Sequence, residues 1–185
     1  MKTAFFGNRM DRMPDVAFMV MSAIFKVRDK FFPVDSLLDQ FEIYKGQTVV
    51  DYGCGPGSYI KKASQLVGDN GQVMAVDIHE LAIKSVEKRI SKENLFNATG
   101  HVAKNGACPL ADRTADIIYA LDMFHMVGDP GSFLQELNRI SKPSGFLFID
   151  NGHQTRDEAK EKILASKKWE IVEDNKRFMK CRPIG

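Results

Sequence analysis

VVDYGCGPGSY, residues 49–59, is the stretch on which the reading of this chain turns. A short apolar run ends in an acid, Asp51, and glycines follow at 53, 55 and 57. That order describes a buried strand carrying a carboxylate to its C-terminal end, then a glycine-rich turn into a helix. Nucleotide-like ligands bind α/β folds at such strand ends, because a turn without Cβ atoms lets a ligand approach the backbone. The helix opening near Ser58 is expected to offer free N–H groups to an anionic group.

Working downstream, GQVMAVDIHE reads as a second strand ending in Asp77, 20 residues after Gly57. At that offset an acid meets ribose hydroxyls. Residues 81–90 keep helical spacing, and residues 98–103 form a weaker third strand. Asp116 opens a fourth strand, DIIYALD, and residues 130–140 make a helix that stops at Lys142-Pro143-Ser144-Gly145. FLFID, residues 146–150, is a fifth strand, followed by an exposed helix over 155–168. WEIVED and RFMKCR, separated by Asn175-Lys176, close the chain as an antiparallel pair. Strands alternating with helices imply a mostly parallel sheet covered on both faces.

Upstream, Pro14 sits where a first helical turn tolerates it, and Val16, Val20, Ala23 or Ile24, Val27 and Phe31 recur at helical spacing until Pro33. This helix admits three readings. Its apolar face packs on the domain; or Phe18, Met19, Met21 and Phe25 wall a ligand pocket as a lid; or the helix lies on a membrane surface. Residues 34–41 form a second short helix before the first strand.

With 185 residues, 44% hydrophobic and 27% charged, the composition is that of an ordinary globular protein of one domain, 1–185. Residues 1–41 would form an N-terminal helical cap segment and 45–185 the core. A net charge of +2, with acids and bases interleaved, speaks against a nucleic-acid footprint. Cys54, Cys108 and Cys181 lack metal or disulfide spacing, so no metal site is expected and a reducing cytoplasm fits. Asn8, Arg9, Asp11 and Arg12 interrupt any signal-peptide core, and VAFMVMSAIF is about half the length of a membrane span.

The glycine spacing chooses among cofactors. Dinucleotide sites use G-x-G-x-x-G beneath a pyrophosphate, which a carboxylate at Asp51 would repel. Here the pattern is D-x-G-x-G-x-G, so the ligand should join a ribose to a cationic group and a carboxylate. S-adenosylmethionine has all three.

VVDYGCGPG, AVDIHE, CPLADRTADIIYALDMFHMV and LNRISKPSGFLFI together resemble the successive motifs of class I S-adenosylmethionine-dependent methyltransferases, in the ubiquinone/menaquinone-biosynthesis-like group. The likeness covers roughly residues 45–150. It implies an α/β, Rossmann-like, doubly wound sheet of seven strands in the order 3-2-1-4-5-7-6, the seventh antiparallel, with N-terminal helices added. It also implies that Asp51, Gly53 and Gly55 face the methionine end of the cofactor, with Gly57 in the same cofactor-binding turn, and that Asp77 holds the ribose. Ile78 would pack on adenine, with Ala120 and Leu121 lining the site. Relatives commonly place an acid after strand three to meet the adenine amino group, whereas this chain has Lys104 and Asn105. Asn105 can accept that hydrogen bond through its side-chain carbonyl and Lys104 cannot.

Methyl transfer from a sulfonium is an S_N2 displacement in which the protein mainly aligns the reactants and excludes water. A base is required only for a protonated acceptor. Asp122 and His125 after strand four are the catalytic candidates, with His153 after strand five and Tyr59 as further possibilities. Only NGHQTRDEA separates strand five from the next helix, so there is no inserted cap. Cover for the site must come from the N-terminal helices or from a partner subunit in a homodimer, unless the site stays open to a large acceptor. A small, partly apolar acceptor is favoured. The reading from another functional class is a non-catalytic module that binds the cofactor without turnover.

Overall fold

The computed structural model describes residues 13–31, 35–104 and 106–184. Seven strands form one sheet: β1 (Thr48–Tyr52), β2 (Gln72–Asp77), β3 (Ala98–Val102), β4 (Ala115–Ala120), β5 (Ser141–Ile149), β6 (Trp169–Asp174) and β7 (Met179–Pro183). Their order is β3-β2-β1-β4-β5-β7-β6, as the sequence motifs imply. β1 to β5 pair in parallel, while β7 runs antiparallel between β5 and β6.

The period of two decides which side chains meet which helices. From β1 and β4, Val50, Tyr52, Ile118 and Ala120 point to one face, under α4 (Pro130–Ile140) and α5 (Arg156–Ala165). Val49, Ile117 and Tyr119 point to the other, under α2 (Ile60–Val67) and α3 (Glu80–Glu93). Each face is closed by its own aromatics. Phe41, from a short 3-10 helix and its following turn (Asp35–Gln40, then Phe41), stacks on Phe148 at 4.3 Å and meets Phe178 edge-on. On the opposite face Tyr52 meets Phe133, and the buried Trp169 donates to the Leu134 carbonyl. Complete burial of one such side chain stabilises the fold by roughly 1.5–3 kcal/mol.

Helix starts follow local chemistry. Asp129 caps α4 ahead of Pro130, and Thr155 with Glu158 closes a reciprocal capping box on α5. One expected turn is absorbed into a strand. Lys142-Pro143-Ser144-Gly145 belongs to β5, as an irregularity where Ala115 pairs Ser141 but Ile117 already pairs Phe146. The Lys142 ammonium binds both oxygens of Asp116 at 2.7–2.8 Å, and Gly145 lies so close to the Ala115 and Asp116 carbonyls that a Cβ would reach 2.9 Å. The segment therefore bulges along β4 instead of leaving it.

In the N-terminal helix α1 (Asp15–Phe31) the residues grouped by helical spacing are not the ones turned toward the domain. Val16, Val20, Ile24 and Val27 are all more than half exposed, while Phe18 is buried. The inner side of α1 lies instead across the C-terminal ends of β2 and β4.

Candidate active site

The crevice at those strand ends holds a cavity of about 660 Å³. Gly53, Gly55, Asp77 and Ile78 form one wall, from β1, β2 and the turns after them. Leu121, Asp122, Met123 and His125, after β4, form another. Phe18, Met21 and Phe25 of α1 form the roof. Of the lid residues expected from the sequence, these three face inward, whereas Met19 is exposed on the outer side.

The glycine turn is built as its spacing requires. Gly53 has φ +82°, and a Cβ there would meet Met123 Cγ at 2.8 Å, so only glycine fits both the backbone and the neighbour. Its N–H and that of Cys54 donate to the Val76 carbonyl, which holds the turn to the end of β2. The Asp77 carboxylate accepts from the Gly55 N–H at 2.9 Å and from the His79 N–H at 2.8 Å. Burial raises the Asp77 pKa, against the pull of those backbone donors.

Asp51 is buried beneath the turn, and its Oδ2 has no hydrogen-bond partner. Burial pushes its carboxyl up to about 8. The nearby Tyr119 hydroxyl, itself short of hydrogen-bonding geometry, opposes that shift, and the charge of Asp77 adds to it. A buried acid without a partner is a strong receptor for a cation.

Gly57 and Ala120 do not line the cavity. Gly57 packs on α3, where a Cβ would lie 3.1 Å from Val86, and Ala120 is fully buried at the end of β4. The first turn of α2, expected to offer N–H groups to an anion, also lies outside the wall; the Gly57 and Ile60 N–H groups donate to the Cys54 and Gly57 carbonyls. Asn105 lies outside the described residues. Lys104 is exposed and forms an isolated bridge with Ala107.

Beyond β4 the wall carries titratable groups. Asp122 adopts φ +58°, and its N–H donates to both oxygens of Asp150 at 2.9–3.0 Å. Burial raises Asp150 to about 6, against that N–H. The His125 ring meets His153 edge-on at 4.7 Å, and its Nδ1 is buried without a partner against Gly152, where any Cβ would collide with it. Burial, then the His153 and Lys162 charges, hold the His125 pKa below its ordinary value, although Asp122 opposes them. His153 itself is exposed.

The chain pattern did not single out His79, Tyr52, Met123 or Arg28. His79 caps α3, accepts from the Leu81 N–H, stacks under Phe18 at 4.2 Å and approaches Asp15 at 3.5 Å. A sequence cue existed, since His79 stands just before the helical run and so occupies a cap position. Arg28, near the other end of α1, reaches Asp122 at 3.3 Å.

The strand ends thus bring together an orphaned buried acid, a glycine turn, an acid at the end of β2 and Ile78 beside it. Residues 43–182 match a family described as a methyltransferase domain. The ubiquinone/menaquinone biosynthesis C-methyltransferase UbiE of Klebsiella pneumoniae is 32% identical over 113 residues, 60% of this chain and 45% of that one. The same-named protein of Legionella pneumophila is 34% identical over 105 residues, 56% and 42% of the two chains. The match thus spans less than half the length of these curated relatives. Among solved structures, a SAM-dependent methyltransferase from Aquifex aeolicus superposes with a TM-score of 0.78 at 22% identity, covering 94% of this chain and all of that one. The [4+2]-cyclase SpnF gives 0.65 at 16%, covering 80% and 59%, so the fold alone does not choose the reaction. The match to the family over 43–182, together with the motifs and the site, places the chain in the methyltransferase-domain family, among the class I S-adenosylmethionine-dependent, UbiE-like proteins.

Proposed function

We propose that this protein transfers a methyl group from S-adenosylmethionine to a small, partly apolar acceptor. The observation that carries the reading is the two-sided cavity. Glycines and acids suited to the methyl donor form one wall, and Phe18, Met21, Phe25, Met123 and Met126 form an apolar chamber beside it. Methionine and phenylalanine side chains adapt to apolar ligands of varied shape.

When bound, the cofactor supplies a sulfonium methyl as electrophile. Asp51 would answer its positive charge, Asp77 would hold the ribose hydroxyls, and Ile78 would pack on adenine. α1 excludes water from above through Phe18 and Phe25, which strengthens every electrostatic contact below. His125, which lines the cavity and whose pKa burial holds below its ordinary value, is suited to take a proton from the acceptor. Asp122, whose carboxylate pairs with Arg28 in the ligand-free structure, is the second candidate for that task.

The non-catalytic module is disfavoured by the intact cradle and by the family match. The outer face of α1, apolar and exposed, supports a homodimer with that face at its centre, which sedimentation would check. No helix among the described residues is long and apolar enough to cross a membrane. The direct test is calorimetric titration with S-adenosylhomocysteine, followed by transfer of labelled methyl to a panel of apolar phenols, amines and carbon acids. Absence of binding at millimolar nucleoside would overturn the reading. Binding without transfer to any acceptor would restore the non-catalytic alternative.

A further inference from the structure

The cavity wall has a charge problem. Asp77 and Asp122 line it, yet no lysine or arginine does among the described residues. Asp150 lies behind Asp122. That acidic field suits the ammonium and sulfonium of the methyl donor and opposes its carboxylate. The first turn of α2, the other source of positive potential, is outside the wall.

α1 supplies a cation at the right end. Its N-terminal half sits over the ribose side, through Phe18 and Asp15 at His79. Arg28 follows 13 residues after Asp15, about 20 Å further along the helix axis. There it lies over the Phe25 ring at 4.4 Å and pairs with Asp122 at 3.3 Å. The Tyr59 hydroxyl, which follows the glycine turn, feels Asp122, Asp51 and Asp150 as negative charges and Arg28 as the opposing positive one. Arg28 therefore stands over the glycine-turn and β4 end, where the amino-acid portion of the cofactor must go if Asp77 takes the ribose.

The Arg28 pair is of the exchangeable kind. Asp122 is half exposed in its side chain, Arg28 about a quarter, and a pair so placed contributes little to stability. The other guanidinium contacts, Nε and NH2 to Asp29 at 2.9–3.0 Å, hold the group against its own helix and leave NH1 to its partner across the cavity mouth.

We propose that Arg28 is the cofactor-carboxylate anchor, a cation carried on α1 that exchanges Asp122 for the ligand's α-carboxylate and so couples closure of the helix to cofactor binding. This rests on the methyl-donor reading above. It makes α1 a part of the cofactor site and not only a wall for the acceptor.

The test compares two nucleosides by calorimetry: S-adenosylhomocysteine, which has the amino-acid carboxylate, and 5′-methylthioadenosine, which lacks it. Arg28→Ala should weaken S-adenosylhomocysteine by roughly 10–100-fold, the range for losing charge-assisted hydrogen bonds. It should leave 5′-methylthioadenosine within about two-fold of wild type, a criterion set against the ordinary scatter of independent sites. Retained methylthioadenosine binding also shows that the variant is folded, and Arg28→Lys should recover part of the loss. Equal weakening of both ligands would reduce Arg28 to a structural strut and overturn the anchor, as would unchanged S-adenosylhomocysteine affinity. Wild-type protein that bound neither nucleoside would overturn the methyl-donor reading itself, and the anchor with it.

Discussion

The Asp77 carboxylate spans two backbone donors, Gly55 N–H at 2.9 Å and His79 N–H at 2.8 Å, and thereby ties the glycine turn of β1 to the cap of α3. The acid that would read the ribose is thus also the clamp that shapes the cradle. Asp77→Ala should cost both roles: a fall in S-adenosylhomocysteine affinity on the order of 100-fold and a lower urea midpoint. Asp77→Asn keeps an acceptor but turns one donor toward a backbone N–H, so its binding should fall between the two. Calorimetry on both variants checks this, and wild-type affinity in Asp77→Ala would remove Asp77 from the site.

Gly53 and Gly46 separate two costs of a side chain. Both have positive φ, +82° and +86°, but a Cβ at Gly46 meets nothing within 4 Å whereas one at Gly53 meets Met123 Cγ at 2.8 Å. Gly46→Ala should cost about 1–2 kcal/mol, the backbone contribution alone. Gly53→Ala should cost more and should also weaken cofactor binding. Combining Gly53→Ala with Met123→Ala should return part of the stability, since the collision is with a flexible side chain. Denaturant unfolding of the wild type, Gly53→Ala, Met123→Ala and the double variant measures the coupling, and strictly additive losses would show that Met123 is not the obstacle.

The buried carboxyl of Asp51 makes stability depend on pH in an unusual sense. Its folded-state value, about 8, lies above the ordinary 3.8, so the folded chain holds a proton that the unfolded chain releases. Stability of the ligand-free protein should therefore fall as pH rises from the ordinary carboxylate range through about 8, by up to about 1.4 kcal/mol per pH unit. Asp51→Asn should flatten that slope and raise the melting temperature near pH 8 by a few degrees, while abolishing cofactor binding. A cationic ligand should expel the same proton, so near pH 7 binding heats should differ between phosphate and Tris buffers. Buffer-independent heats would argue that Asp51 is already ionised.

Much of this architecture was legible because neighbouring residues decide it. The alternation of Val49 and Val50 assigns the two faces of β1, and the acid followed by three spaced glycines describes the turn that Gly53 and Gly55 form. Asp77 is where the offset from Gly57 places it. Legibility failed where a choice depends on distant partners. α1 is apolar on both sides, so helical spacing groups Val16, Val20, Ile24 and Val27 without revealing that Phe18, Met21 and Phe25 are the ones turned inward. The pairing of Arg28 with Asp122 crosses 94 positions and leaves no local trace. Lys142-Pro143-Ser144-Gly145 reads as a turn from its residues alone, and the Lys142–Asp116 contact with the close approach of Gly145 keeps it on the sheet.

His125 offers the sharpest pH test of the chemistry. Its ring packs against Gly152 and His153 with Nδ1 buried and unpartnered, so the charged ring would be poorly solvated there. Its pKa is accordingly held below the usual 6.5, chiefly by burial. A base is active when deprotonated, so kcat/KM for an acceptor with an acidic proton should be level at neutral pH and fall only on an acid limb below pH 6.5. His125→Ala should lower kcat by roughly 10²–10⁴-fold and remove that limb, leaving S-adenosylhomocysteine affinity unchanged. Asp122→Asn should keep the limb, since it retains His125. For an acceptor that needs no deprotonation, His125→Ala should change kcat little, which separates a base from a residue that merely fills the wall. An acid limb above pH 6.5, or a full rate in His125→Ala with a protonated acceptor, would take the proton-transfer role away from His125.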